Sequence, residues 1–180
     1  WADFTPKPIP DESGNGMHIN LSLAMPKSEG ARDAFMAGLM EHICEITVFL
    51  NPVDASYARL GEHKAPRYVT WSPENRSQLI RIPAAKGEYE RLELRSPDPA
   101  GNPYLAFALI LAAGADGIRR NLIAPPPTNV NLFTADASIT GKLRQLPRTR
   151  AEAAKIAKDS AFVRSVLPAG IIEAYTSDLD

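Results

Sequence analysis

The chain has one cysteine, Cys44, in 180 residues. A disulfide framework needs paired cysteines and a cysteine metal cluster needs several, so both are excluded, and a reducing compartment, the cytoplasm, is expected. No apolar run approaches the length of a membrane span, and no signal peptide is visible. Neither sign of charge dominates. The formal net charge is −1 and the pI is near 6.4, so nothing points to nucleic acid or an acidic membrane as a partner. There is no internal repeat and no low-complexity tract. An initiator methionine is also missing: Trp1 opens WADFTPKPIPDESGNG in mid-sentence, and a piece of a longer protein is expected.

An ordinary apolar fraction of 44% is present, with enough chain for one core, so residues 1–180 are expected to form one domain. Pro6, Pro8 and Pro10 exclude helix at the start. The run GNGMHINLSL then alternates, with Ile19, Leu21 and Leu23 on one face and His18, Asn20 and Ser22 on the other, which predicts a strand over 16–23. Apolar residues at helical spacing predict a helix from about Ala31 to Leu50, ended by Asn51-Pro52. ASYARLGEHKAPRYVTW reads as a loop leading to a short strand, RYVTW.

The centre of the sequence is NRSQLIRIPAAKGEYERLELRSPDPAGNPYLAF. Strands are predicted over 77–83 and 90–96. Leu92 and Leu94 share one face of the second, and Arg91, Glu93 and Arg95 share the other. Asp98 and two prolines end it. A helix follows from about Pro103 to Asn121, with Asn102 as its cap and Pro103 in its first turn. GADG within that helix marks a close-packed or weakened point. Residues 124–142 read as a long irregular loop, and the chain from about Thr149 as short helices, one starting at Pro168.

His18, Glu93 and the arginines 59, 76, 81, 91 and 95 each have an ordinary reading as surface groups or cross-strand ion pairs. Together they imply more. Guanidiniums aimed into one concavity repel one another unless an anion lies between them, and their forks suit carboxylate and phosphate. His18 and Glu93 offer one nitrogen and one oxygen to a divalent cation such as Mg²⁺ or Mn²⁺. The implied ligand is a metal-bound polyphosphate beside a small acid.

GNGMHINLSL, NRSQLIRIP and ERLELRSPDPAGNPYLAFALILAAGADGI, with LNPVDASYARLG between, closely resemble the carboxy-terminal part of the catalytic domain of bacterial-type glutamine synthetase. The resemblance is collinear over nearly the whole chain. It implies an α+β fold, an antiparallel curved sheet with helices on its outer face, in which the polar face of the three strands lines a pocket. It also implies ATP-dependent condensation of glutamate with ammonia through a γ-glutamyl phosphate, in a homo-oligomer. It assigns His18 and Glu93 as metal ligands, and Ser22, Arg76 and Arg81 to the nucleotide. Gly14, Arg59 and Arg95 fall to glutamate, and Lys64 and Arg76 to catalytic positions.

Three departures bear on this. Ser13-Gly14 stands where the family has Asn-Gly. Asn20 replaces a second histidine. Lys64 precedes Ala65-Pro66 where the family has a glutamate that helps form the ammonium pocket. Glu62 could fill that place through a loop shift. A γ-glutamyl ligase for a larger amine and a non-catalytic relative binding nucleotide or glutamate are the alternatives. The paired glutamates for the other metal and the small β-domain are absent, so residues 1–180 alone are expected to be inactive.

Overall fold

The computed structural model describes residues 1–23, 30–84 and 91–177. Glu90, the first residue of the third expected strand, and Asp178 and Leu179 in the last helical stretch lie outside them. The elements in chain order are β1 (Ile19–Leu21), α1 (Ala31–Leu50), α2 (Asp54–Arg59), β2 (Trp71–Pro73), β3 (Ile80–Ile82), β4 (Leu92–Leu94), α3 (Pro103–Arg119), α4 (Ala137–Thr140), α5 (Arg150–Asp159), α6 (Ala161–Val166) and α7 (Ala169–Thr176). This is an α+β fold with one four-stranded sheet in the order β1-β4-β3-β2.

The sheet is mixed. β1 and β3 flank β4 antiparallel, as the sequence implies, but β2 joins β3 in parallel. Parallel neighbours ordinarily need a long crossover. Here both strands have three residues, so the chain must retrace only about 10 Å. The 74–79 turn manages that. Glu74 takes a positive φ of 70°, and the Asn75 side chain accepts hydrogen bonds from Ser77 N and Oγ at 3.0 and 2.9 Å. The strand expected at RYVTW therefore sits later, and Tyr68 makes only an isolated bridge to Gln145.

The core lies between the apolar face of the sheet and the helices. Ile19, Ile80, Leu92 and Leu94 join Phe35, Met36, Leu39, Ile43, Ile46 and Leu50 of α1 in one cluster. α1 is buried on most of its circumference, so its sequence is apolar nearly all round. α3 packs closely on it. A Cβ on Gly38 would lie 2.8 Å from Gly117 Cα, so both helices need glycine at their crossing. The close-packed point read from GADG is that contact. Asn102 caps α3 by accepting from Tyr104 N at 2.9 Å.

Two stretches differ from expectation. Part of the loop before RYVTW is the helix α2, and the long 124–142 loop contains the single turn α4. Both helices are too short to show a periodic stripe, and tertiary contacts decide them.

Candidate active site

The register of the sheet assembles the site. Asn20 lies opposite Glu93, and Glu93 lies opposite Arg81, so one row of side chains crosses β1, β4 and β3. Carried one residue further, the β1–β4 register sets His18 opposite Arg95. Side chains two apart on a strand share a face, so His18, Asn20, Arg81, Glu93 and Arg95 project to the same side. Arg91 joins them, donating from Nε to Asn20 Oδ1 at 3.0 Å.

Glu93 is the hub. His18 Nδ1 lies 3.1 Å from its Oε1. Arg81 Nη1 and Arg95 Nη1 lie 2.9 and 3.2 Å from its Oε2. The Glu93 side chain is 11% exposed and that of Arg95 4%, whereas His18 keeps 32%. The polar face of β4 is thus buried, not half-open as alternation alone suggests. Burial raises the Glu93 pKa, but Arg95, Arg81 and His18 together outweigh it, and the carboxyl is held below its ordinary value. His18 is pushed down by burial first and by Arg95 next, with Glu93 opposing, so the surroundings favour its neutral ring. Arg81 Nε and Arg95 Nε are buried with no hydrogen-bond partner. A buried donor without a partner costs about 1–3 kcal/mol. Two such donors beside one carboxylate make a face that lacks an anion.

Arg59 ends α2 and reaches under the same strand. Its Nη1 and Nη2 donate to the carbonyls of Ser96 at 2.8 Å and Arg95 at 3.2 Å. Gly14 lets the 13–16 loop pass close by: a Cβ there would press on Pro6 O and lie 3.1 Å from Arg59 Cγ. Arg76 is exposed in the turn before β3, near enough to depress Arg95 after the larger effect of burial. These residues gather around Glu93. Ser22 and the Lys64 side chain do not. Ser22 is exposed just beyond β1, and Lys64 is exposed, its carbonyl accepting from Arg95 Nη2 at 3.2 Å. Glu62 does not take the place of a carboxylate at 64. It faces Lys7, with Nζ 3.4 Å from its Oε2.

Sequence reasoning passed over two polar clusters, one that positions the site and one that ties the helices. Asn51 Nδ2 donates to Ser96 O at 2.9 Å and to Asp98 Oδ2 at 2.8 Å, tying the end of α1 to the chain leaving β4. Asp98 is fully buried and its charge supports Arg59. Each was read only as an element terminator; an Asn-Pro and an Asp-Pro in otherwise apolar surroundings were the available signal. The second is His42, buried between Glu45 and Asp116 on the helical side.

The model of the glutamine synthetase catalytic domain matches residues 1–178. The chain belongs to the glutamine synthetase family. It is 43% identical to the glutamine synthetase of Methanosarcina mazei over 97% of this chain and 42% of that protein. It is 41% identical to that of Thermus thermophilus over 92% of this chain and 41% of that one. Among solved structures, the GmaS/ADP complex superposes with a TM-score of 0.82 at 30% identity, covering 97% of this chain and 43% of that chain. GmaS without ligand gives 0.79 at 32% identity. The chain therefore spans about two-fifths of the length of these glutamine synthetase relatives. No described helix is long and apolar enough to cross a membrane.

Proposed function

We propose that this chain is the carboxy-terminal portion of the catalytic domain of an ATP-dependent ligase that joins ammonia to glutamate through a γ-glutamyl phosphate, acting as a homo-oligomer of the full-length protein. The observation that carries this reading is the Glu93 carboxylate held by His18, Arg81 and Arg95, with two buried guanidinium donors still unpartnered.

The donor set fits a divalent cation in part. His18 and Glu93 would hold Mg²⁺ or Mn²⁺ in place of the hydrogen they share. Among the described residues no group of three His, Cys, Asp or Glu side chains could hold a metal, so further ligands come from water, phosphate or chain beyond this sequence. A cation bound there neutralises phosphate charge. The chain's own residues do the rest by position. Arg95 is fixed by Glu93 and the Lys64 carbonyl, and its free Nε suits the substrate carboxylate. Arg81 Nε and the exposed Arg76 suit phosphate oxygens. Ser22 stands at the open end of β1 for the nucleotide. Arg59 and Gly14 hold the loop over glutamate. Such preorganised charge is the main catalytic resource in phosphoryl transfer.

Lys64 favours a second reading at the amine step. At position 64, where the family has a carboxylate, stands an exposed lysine. The carboxylate that would attract ammonium is missing there, and the lysine that replaces it is turned to solvent. That loss is what supports a γ-glutamyl ligase for a larger amine. Assays of the full-length protein with ATP, glutamate and either ammonia or alkylamines decide between the two. The ligase reading expects ADP and a γ-glutamyl amide to form together, and no amide with any amine overturns it. Robust ammonia use that Lys64→Glu lowers overturns the larger-amine reading.

A further inference from the structure

A cavity of about 440 Å³ lies between the turn after α2 and the segment running into α5. That is the size of a small-ligand pocket. Gly61, Arg67, Tyr68, Phe133, Gln145 and Arg148 line it. None of the nine residues assigned above to metal, nucleotide, glutamate or catalysis does.

Two guanidiniums face this space. Arg67 is half-buried, donating from Nη2 to Leu60 O, while its Nη1 is buried with no hydrogen-bond partner. Gly61, at φ +89°, makes room for it: any side chain at 61 would run into the Arg67 guanidinium. Arg148 enters from the start of α5, where its Nε and Nη2 donate to Gln145 Oε1 at 3.2 and 2.9 Å. Gln145 and Tyr68 also line the space, and each carries a side-chain donor. Burial, and next the Arg148 charge, push the Arg67 pKa down, and both guanidiniums line the same space. Among the described residues no carboxylate lines the cavity. The Glu62 and Glu152 charges partly offset the effect of burial and Arg148 on Arg67, while Glu62 also faces Lys7 Nζ and Glu152 accepts from Arg148 N at 2.8 Å. Phe133 and Leu132 add an apolar wall.

We propose that this cavity binds a small organic oxyanion, its carboxylate or phosphate head between Arg67 and Arg148 and its body against Phe133. Two guanidinium forks lining one space and an unpartnered buried donor are the chemistry that recognises such a head. The site is separate from the Glu93 cluster, so its occupant need not be a substrate of the ligase.

The test is calorimetric titration of the full-length protein with inorganic phosphate and, separately, malonate. It is run on the natural sequence and on the Arg67→Gln, Arg148→Gln and Arg81→Gln variants. At least one probe is expected to show a binding phase that persists in Arg81→Gln, where binding at the Glu93 face is impaired, and that Arg67→Gln and Arg148→Gln each weaken roughly tenfold to a hundredfold. Phosphate responding alone identifies a phosphate head, and malonate alone a carboxylate. Arg148 is exposed, so its variant folds and decides the matter even if Arg67→Gln does not fold. Absence in both probes of a binding phase that persists in Arg81→Gln, or such a phase that Arg148→Gln leaves intact, overturns the proposal.

Discussion

Two histidines in this chain are each held by a carboxylate, and they do opposite things. His42 is 7% exposed on α1. Its Nδ1 lies 2.7 Å from Glu45 and its Nε2 3.0 Å from Asp116, and the Phe162 ring stacks on it at 3.8 Å. Every polar atom of that ring has a partner and both neighbours come from the helical layer. His18 has one nitrogen engaged, by a carboxylate that two arginines also grip, and a third of its side chain meets solvent. The saturated cluster locks helices together. The other carries spare bonding capacity on a rigid sheet, which is what a binding site requires. Pairing a histidine with a carboxylate does not distinguish the two; the count of unanswered donors does.

The comparison breaks most sharply at Glu93. Glu93→Gln in the full-length protein is expected to lower kcat by at least about a hundredfold, because a neutral amide is a poor ligand for a hard cation and leaves Arg81 and Arg95 without a counter-charge. Steady-state kinetics at saturating Mg²⁺ and Mn²⁺ check it, and an undiminished kcat would remove Glu93 from the site.

Arg95→Lys tests the guanidinium partner. Lysine keeps the charge but loses the fork, so KM for glutamate should rise roughly tenfold to a hundredfold while KM for ATP moves little. A rise confined to ATP would reverse the assignment.

The two histidines themselves sharpen the contrast. His42→Ala should cost about 1–3 kcal/mol of stability, read in denaturant melts, with activity per folded molecule retained. His18→Ala should change stability by less than about 1 kcal/mol and should weaken metal binding instead. Equal stability losses in the two variants would erase the distinction.

The smallest effect is in acid. Asp116 is held below its ordinary 3.8, chiefly by the His42 hydrogen bond, and Glu93 below its ordinary 4.5 by its cations against the opposing effect of burial. A depressed carboxylate contributes stability that is full above the unfolded pKa and is lost as pH falls through the folded value. Melting temperature should therefore fall as pH drops below about 4.5, and Asp116→Asn should flatten the lower part of that decline. An Asp116→Asn curve parallel to the natural one would show that His42 draws nothing from that contact.

Much of this was legible in the chain before it was folded. Alternation in GNGMHINLSL and YERLELRS set which residues share a strand face, because a strand's period of two leaves no freedom about sides. Asn102 and Pro103 fixed the start of α3 through local hydrogen bonding and a preset φ. The apolar spacing marked α1, and the family motifs included His18, Arg81 and Arg95, whose side chains meet Glu93, together with Ser22 and Lys64, whose side chains do not.

Other features needed the fold. β2 pairs in parallel because the three-residue strands make a short return possible, and no periodicity encodes that. Glu93 and Arg95 are buried because neighbouring strands and the Arg59 end of α2 close over them, an outcome of contacts distant in sequence. Lys64 lies apart from the Glu93 cluster, and Glu62 turns to Lys7, for reasons of loop packing. The Arg67–Arg148 cavity joins residues 81 positions apart, and His42 meets Asp116 across 74. Local sequence determines period, caps and facing, since those depend on neighbours along the chain; which charges end up buried, paired or unanswered depends on what the folded chain brings beside them.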